Sequence, residues 1–419
     1  MAVTVAAPAG RITGVTEDDV THFHSIPYSH IPGEYLDAEP AAEGGDIDAT
    51  VPRPDAIALS ITVPAGTAAS DDLPVVVYIH GGRYEKGSHT DPRAEGSANA
   101  RGGVITVQIG YRVMLAGLAR FHDDDPAHYR AVHDCQLALD WIQRNIESFG
   151  GDAGNVTVVG QSAGATTALW LCRKDHYRET FQRVLAMSPC FPRVPYKKRK
   201  GLLRQCVNTP LTRKHLSRAN PARIKRGYGV FRRLIWSDMA LGPHPLEPKK
   251  MARVPIVITS TRDEFYDLGE PADKRGSGAF AARMLAPIMG VKGNFRDWLA
   301  AAKEIDPNRL AGRLIGDSCN RRWVSEVAER APGPVWMAEF VGSQEEPARH
   351  CREIRPLFGV HDSPLNDWLV GYAHTGEPGW EPYKQGQVAR RFSLIDGSFD
   401  HVVDPLGYVR EAFNPTRRR

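Results

Sequence analysis

The chain has 419 residues, of which 42% are hydrophobic and 24% charged, and its formal net charge is +4. A chain of this length and composition can bury a sizeable core, in one large α/β domain or in two ordinary ones. The small net charge by itself gives no reason to expect a nucleic acid partner.

The amino terminus and the cysteines bear on the compartment. The first residues lack a basic segment and an apolar core, and no run of 18 apolar residues occurs, so we expect neither a signal peptide nor a membrane span. The cysteines lack the CxxC spacing of zinc sites. We therefore expect free, mostly buried thiols, no metal site and a reducing, cytoplasmic setting. The six are Cys135, Cys172, Cys190, Cys206, Cys319 and Cys351.

Seven short apolar runs predict strands. Several are apolar at both alternating positions, as in strands that are covered on both faces. Residues 131–149 have apolar side chains at helical spacing and predict an amphipathic helix. Alternation of this kind predicts a mostly parallel sheet with helices on both faces. The runs are IALSITV (57–63), PVVVYIH (74–80), GVITVQI (103–109), NVTVVG (155–160), RVLAMS (183–188), VPIVITS (254–260) and PVWMAEF (334–340).

Two stretches interrupt this rhythm. Residues 191–250 are rich in Pro, Lys and Arg and contain no strong strand pattern, and residues 268–316 are irregular. We interpret both as cap-like insertions over the sheet of a single domain that covers residues 1–419.

The segment VTVVGQSAGA (156–165) combines a buried strand, a Gly-x-Ser-x-Gly turn and a following helical run. This order is typical of a nucleophile elbow, with Ser162 at the tip and the amide of Ala163 facing a developing oxyanion. A glycine-rich turn with an incidental serine is the alternative. The earlier His80-Gly81-Gly82, also at a strand end, lies where further oxyanion donors are expected, and the two motifs together favour a catalytic site.

These motifs resemble the type-B carboxylesterases, the α/β-hydrolases that include bacterial para-nitrobenzyl esterases. Residues 10–32 resemble the family's amino-terminal strand pair, 79–88 its oxyanion loop, 109–118 its Asn-Tyr-Arg segment and 140–165 its nucleophile signature. The resemblance implies an α/β-hydrolase fold, and an ester hydrolase with a covalent acyl-enzyme that needs no cofactor.

The resemblance also implies the acid of a catalytic triad. VPIVITSTRDEFYDLG (254–269) is similar to the family's acid loop, where the Glu of an Asp-Glu pair is used. This implies Glu264, with Asp263 as the first alternative and Asp267 as the second.

The base is implied in the same way. PARHCREIRPLFG (347–359) is similar to the segment that carries the family's catalytic His, which implies His350. His361 is the competing candidate. We expect His80 to anchor the oxyanion loop and His133 to be structural.

The family's oxyanion donors would correspond to the amides of Gly82, Arg83 and Ala163. Gly81 and Ser188 would support the site from behind. Arg83 departs from the family pattern, which has Gly or a small residue there, and it adds a positive charge at the mouth of the site. Gln161 replaces the commoner Glu, Gly110 replaces the Asn of Asn-Tyr-Arg, and the short chain implies a reduced cap.

Charge is distributed very unevenly. From Thr180 through Ser237 there are fifteen Lys and Arg and no Asp or Glu, so with a net charge of +4 overall the rest of the chain carries −11. A solvated cap face is one reading. The sharper hypothesis is a small ester substrate that carries a negative charge and is steered by this field. A membrane-surface role for 196–203 is a weaker alternative, because no clear amphipathic face follows it. Nucleic-acid binding, which would use this span and the tail TRRR, is disfavoured.

The sequence therefore predicts a serine carboxylesterase that acts through Ser162, His350 and Glu264. The same triad could cleave an amide or a carbamate, and a non-catalytic binding relative is the alternative from another class. The acyl and alcohol preferences and the oligomeric state stay open.

Overall fold

The computed structural model describes residues 1–414, so the tail TRRR lies outside the described residues. Each of the seven predicted strands is a strand in the structure, and the predicted amphipathic helix is present over Arg130–Asn145. The strands in residues 1–414 are β1 (Ala2–Ala7), β2 (Gly10–Glu17), β3 (Val20–Ile26), β4 (Ser29–His30), β5 (Glu39–Pro40), β6 (Asp46–Asp48), β7 (Leu59–Pro64), β8 (Leu73–Ile79), β9 (Ile105–Ile109), β10 (Gly151–Gln161), β11 (Arg183–Met187), β12 (Ile256–Thr261), β13 (Val335–Val341), β14 (Val388–Ser393) and β15 (Phe399–Val403).

The helices connect these strands and form the two insertions. They are α1 (Ser97–Arg101), α2 (Met114–Leu118), α3 (Arg130–Asn145), α4 (Ala163–Leu171), α5 (Tyr196–Val207), α6 (Arg213–Leu216), α7 (Pro221–Leu234), α8 (Tyr266–Lys274), α9 (Gly278–Met289), α10 (Phe295–Ile305), α11 (Leu310–Gly316), α12 (Arg322–Arg330), α13 (Ile354–Leu357), α14 (Pro364–Thr375) and α15 (Gly407–Phe413). No helix in residues 1–414 is long and apolar enough to cross a bilayer.

One sheet organises the described residues, in the order β1-β2-β3-β7-β9-β8-β10-β11-β12-β13-β14-β15. From β9 to β14 all neighbours are parallel, whereas β1, β2, β3, β7 and β15 pair antiparallel at the two sides. The predicted mostly parallel α/β sheet is therefore confirmed. Because parallel strands end at the same edge, the segments after β8, β10, β12 and β13 meet there.

The central strands are buried on both faces, which explains their unbroken apolar sequences. In β8, Val75 and Val77 belong to one apolar cluster, while Val76 and Tyr78 belong to the cluster on the opposite face. The first cluster includes residues of α3 and α4, and the second includes Leu369 and its neighbours in α14.

The two insertions are helical. The first contains α5, α6 and α7, and the second contains α8 to α11, so the prediction of an irregular segment over 268–316 is wrong. Pro271 lies inside α8 and Pro287 inside α9, and these prolines obscure the helical pattern in the sequence. Whether the insertions act as a cap stays a prediction.

Candidate active site

The elbow between β10 and α4 places Ser162 in a strained conformation. Its backbone angles are φ 56° and ψ −116°, which a non-glycine residue rarely adopts. A Cβ on Gly164 would overlap the carbonyl oxygen of Ile79, so only glycine permits β8 to lie this close to the first turn of α4. The Ser162 amide donates to the carbonyl of Met187 (2.8 Å), which fixes the tip of the elbow against β11.

Three side chains meet at the elbow, one each from the segments that follow β10, β12 and β13. Nε2 of His350 lies 3.0 Å from Oγ of Ser162, and Nδ1 of His350 is hydrogen-bonded to Oε2 of Glu264. The other oxygen of Glu264 accepts from the amide of Thr261 at 3.0 Å. Ser162 and Glu264 are 2% and 1% exposed. This is the arrangement of nucleophile, base and orienting carboxylate that acyl transfer requires.

Burial and charge set the protonation of this array. Burial alone would raise the pKa of the Glu264 carboxyl, but attraction to His350 and hydrogen bonds from His350 and the Thr261 amide hold its pKa below the ordinary value. Burial would lower the pKa of His350, yet Cys351 and Glu264 raise it well above the ordinary value. Glu264 is thus ionised near neutral pH, and it stabilises the protonated imidazole.

Ser188 lies where the sequence analysis places it, at the end of the strand beside β10. It is fully buried, and its amide donates to the carbonyl of Thr259 at 2.8 Å. Its hydroxyl makes no hydrogen bond of standard geometry, although it contributes to the lowered pKa of Glu264.

The alternative acids lie elsewhere. Asp263 is buried, and its carboxylate pairs with Arg309 (3.2 Å) and Arg313 (3.7 Å) and accepts from the amide of Ala348 (3.1 Å). It therefore fastens the loop of Glu264 to the loop that carries His350. Asp267 is exposed and pairs with Arg349 at 3.3 Å.

The alternative histidines are also accounted for. His361 is exposed and, within residues 1–414, makes no hydrogen bond. His80 is stacked on Tyr111 (4.2 Å between ring centroids), and its Nδ1 bonds the Gly81 carbonyl, while burial lowers its pKa to about 4. This matches the anchoring expected of His80. Nε2 of His133 bonds the carbonyl of Ala38 at 3.0 Å, as a structural residue would.

The predicted oxyanion loop lies against Ser162. A Cβ built on Gly81 would come within 3.1 Å of the Cβ of Ser162, which shows how closely the two segments approach. Within residues 1–414, the amides of Gly82 and Arg83 have no acceptor, and the amide of Ala163, at the first position of α4, has none within its helix. Backbone N–H groups of this kind could donate to an oxyanion.

Sequence reasoning missed three residues of the site. Sγ of Cys190 lies 3.5 Å from Oγ of Ser162, and the ring of Phe265 lies 4.4 Å from that of His350. Glu353 is fully buried, and burial, followed by the charge of Glu264, raises its pKa to about 7. It accepts from Nε2 of Gln161 at 3.4 Å. In the sequence, Glu353 serves only to locate His350 within the segment 347–359, because the burial of Glu353 arises from tertiary packing.

A surface cavity of about 730 Å³ borders this array. His350 and Cys351 form part of its lining together with Arg93, Arg349 and Arg355. Although Ser162 is nearly inaccessible, the side chain of His350 is 12% exposed. His350 therefore lies at a boundary between the protein interior and solvent.

Comparisons with known proteins agree with this fold and this geometry. Residues 41–206 match the model of the Carboxylesterase family. A para-nitrobenzyl esterase of Bacillus subtilis is 26% identical over 99% of both chains. A fumonisin B1 esterase of Sphingopyxis macrogoltabida is 30% identical over 84% of this chain and 74% of that protein. The chain belongs to the carboxylesterase family. This assignment confirms the resemblance and the predicted class of enzyme, a serine carboxylesterase.

Solved structures of carboxylesterases show the same fold. A carboxylesterase of Geobacillus stearothermophilus superposes with a TM-score of 0.80 at 24% identity, covering 98% of this chain and 99% of that one. A structure described as PNB esterase superposes with a TM-score of 0.75 at 23% identity, covering 96% and 97% of the two chains. The predicted α/β-hydrolase fold is thereby confirmed. The catalytic roles of individual residues stay predictions.

Proposed function

We propose that this carboxylesterase hydrolyses carboxylic esters through a Ser162–His350–Glu264 triad and a covalent acyl-enzyme. The observation that supports the proposal most strongly is the continuous chain of hydrogen bonds from Ser162 Oγ through both nitrogens of His350 to Glu264. Geometry of this kind lets one imidazole accept a proton from the serine and later give it to the leaving group.

In the first half-reaction, His350 Nε2 takes the Oγ proton as the oxygen of Ser162 bonds to the ester carbonyl carbon. Glu264 keeps the Nδ1 proton in place and stabilises the imidazolium. The carbon–oxygen bond to the alcohol then breaks, and the alcohol leaves with the proton from His350. In the second half-reaction, water gives its proton to His350 and attacks the acyl-enzyme, which releases the acid and restores the Ser162 hydroxyl.

The negative charge that develops on the carbonyl oxygen needs donors. We assign this role to the amides of Gly82, Arg83 and Ala163. The support is the absence of an acceptor for the first two in residues 1–414 and the position of the third at the start of α4. Loss of one such donor typically costs about 3 kcal/mol of transition-state stabilisation.

The substrate is proposed to carry a negative charge near the reacting ester. Arg83 supports this part of the proposal. Its guanidinium lies 5.7 Å from the ring centroid of Phe265, which itself contacts His350, and it has no carboxylate partner in residues 1–414. Arg83→Gln keeps the backbone amide and should lower kcat/KM for an anionic ester more than for its neutral analogue. Equal losses would contradict this role of Arg83.

We further propose that the chain acts as one catalytic domain with a reduced cap. Arg232 of α7 pairs with Glu85 in the oxyanion loop at 3.3 Å, and Gly316 of α11 packs against Glu264, so both insertions touch the site. The proposed cytoplasmic setting is supported by the six free thiols.

Kinetics of matched variants test the proposed triad. Ser162→Ala and His350→Ala should each lower kcat for a chromogenic ester by at least about a thousandfold. His361→Ala, an exposed histidine beside the same cavity, is the control and should leave kcat unchanged. A burst of alcohol equal to the enzyme concentration would show that the acyl-enzyme accumulates. Loss of activity in the His361 variant but not in the His350 variant would overturn the assignment. Parallel assays with the matched amide and carbamate would decide among these bond types.

A further inference from the structure

The helices α5 and α7 form a hairpin whose outer surface is strongly basic. Fifteen cations lie between Thr180 and Ser237, and four of them pair with carboxylates: Arg193, Arg199, Arg213 and Arg232. Ten others are exposed and have no carboxylate within salt-bridge distance in residues 1–414: Lys197, Lys198, Lys200, Arg204, Lys214, Arg218, Arg223, Lys225, Arg226 and Arg233. A solvated helix face normally interleaves both signs of charge, whereas this one has a single sign.

The hairpin has a clear inside and outside. Leu203 and Val207 of α5 and Tyr228 and Phe231 of α7 are buried. A Cβ on Gly227 would overlap the α5 backbone at Cys206, so the two helices are in close contact and their solvent faces adjoin. The expectation that no clear amphipathic face follows residues 196–203 is wrong, because α7 buries Ile224, Tyr228 and Phe231 and exposes Arg223, Arg226 and Arg233.

Large apolar side chains are exposed among these cations. Leu202, Val230, Leu234 and Trp236 are 37%, 45%, 60% and 42% exposed. On a helix of 3.6 residues per turn, Val230 falls between Arg226 and Arg223 on the solvent side of α7. Exposed Trp and Leu beside Lys and Arg are the composition of surfaces that lie in the headgroup region of a bilayer.

A second apolar stripe adjoins this surface. Phe280, Met284 and Ile288 are spaced by four residues on α9 and are all more than half exposed. The guanidinium of Arg193 donates both to the carbonyl of Ser237 (2.6 Å) and to the carbonyl of Met289 (2.7 Å). The end of α9 and the chain after α7 therefore lie next to each other, joined by the Arg193 side chain.

We propose that this surface, formed by the solvent faces of α5 and α7 with Trp236, docks onto an anionic lipid bilayer. The unpaired cations would attract the negatively charged headgroups, and Leu234 and Trp236 would insert at their level. The Arg232–Glu85 pair joins α7 to the oxyanion loop. Docking would therefore hold the candidate active site close to esters dissolved in the membrane. A lipid surface fits better than a nucleic acid, because a bilayer can bury the exposed Val and Leu side chains and the surface of a nucleic acid cannot.

The first test measures binding of the full chain to vesicles, independently of hydrolysis. The protein should sediment with vesicles that contain phosphatidylserine, but much less with vesicles of phosphatidylcholine alone, and high salt should release it. The triple variant Lys197→Glu, Lys198→Glu, Lys225→Glu should lower the partition coefficient at least roughly tenfold.

A matched charge reversal provides the control. Lys174, Lys249 and Arg253 are exposed and have no carboxylate partner in residues 1–414, and they lie at the opposite edge of the sheet, before β12. Reversing all three should leave the partition coefficient unchanged. Trp236→Gln, which keeps the net charge, should weaken binding to the same vesicles. All these variants should hydrolyse a neutral soluble ester at the wild-type rate.

Several outcomes would overturn the proposal. They are no binding of the wild type to anionic vesicles, equal losses in the two triple variants, and full binding by the Trp236 variant. Tighter binding to duplex DNA than to vesicles would show a polyanion site instead of a lipid surface. A stable dimer that is disrupted by the α5/α7 triple variant would show that a second copy covers the surface.

Discussion

Replacement of Asp263 by Asn distinguishes a positioning carboxylate from the proposed catalytic one. Asp263 and Glu264 are neighbours in sequence, yet their side chains have different partners. Asp263 pairs with Arg309 and Arg313 and accepts from the amide of Ala348, whereas Glu264 pairs with His350. We expect Asp263→Asn to lower the free energy of unfolding, and Glu264→Gln to lower kcat.

The magnitude follows from burial. The side chains of Asp263 and Arg313 are only 4% and 1% exposed, so the variant leaves a buried guanidinium without its carboxylate. Removing one partner of such a pair typically costs about 3–5 kcal/mol, and we expect about 3 because Asn can still accept from Ala348. Asp267 and Arg349 are 59% and 41% exposed, so Asp267→Asn should cost less than about 1 kcal/mol.

Urea unfolding and ester kinetics on the same three variants separate these effects. Glu264→Gln should lower kcat by about ten-thousandfold, since the orienting charge is lost. Asp263→Asn should lower kcat less than about a hundredfold in its folded state, because it acts only through the placement of the His350 loop. If Asp263→Asn left stability unchanged and abolished turnover, the assignment of the acid would be wrong.

Three further outcomes are expected. Gly164→Ala should destabilise the enzyme by several kcal/mol or prevent its folding, because its Cβ would overlap the Ile79 carbonyl. Gly201→Ala is the control, because its Cβ meets only open space on the solvent side of α5. It should raise the free energy of unfolding by about 1 kcal/mol in the same urea titration. kcat/KM should rise with pH as His350 loses its proton, with a midpoint above 6.5 because the pKa of His350 is raised. Glu264→Gln should lower that midpoint, and an unchanged midpoint would contradict the pairing of Glu264 with His350. Burial raises the pKa of Glu353 to about 7 in the folded state, against 4.5 when unfolded, so the folded state binds more protons between these values. The free energy of unfolding should therefore fall by about 3 kcal/mol between about pH 4.5 and pH 7. Glu353→Gln should remove this pH dependence, and its persistence in the variant would show another source.

Much of the fold was predictable because it depends on local pattern. The central strands are buried on both faces, so β8, β10 and β12 each appear as an apolar run that ends in glycine or polar residues. In contrast, β14 contains Arg390 and Arg391 and was missed, since it lies near the side of the sheet where apolar continuity is not required. The helices of the second insertion were missed for a different reason. Prolines interrupt their sequences, and tertiary packing nevertheless holds these sequences in helical form.

The candidate site divides in the same way. The elbow could be predicted from the spacing of Gly160, Ser162 and Gly164, because a Cβ at either glycine would overlap neighbouring backbone. The contacts of Asp263 with Arg313 and with the amide of Ala348 could not be predicted. They join residues about 50 and 85 positions apart, whose proximity results from the fold.

The most direct test of the central claim is to label the active enzyme with a fluorophosphonate and map the modified peptide. One label per chain, on Ser162, with loss of esterase activity in proportion to labelling, is the result expected if the hydroxyl beside His350 is the nucleophile. Stoichiometric inactivation with the label on any other residue, or full activity after Ser162 is labelled, would contradict it.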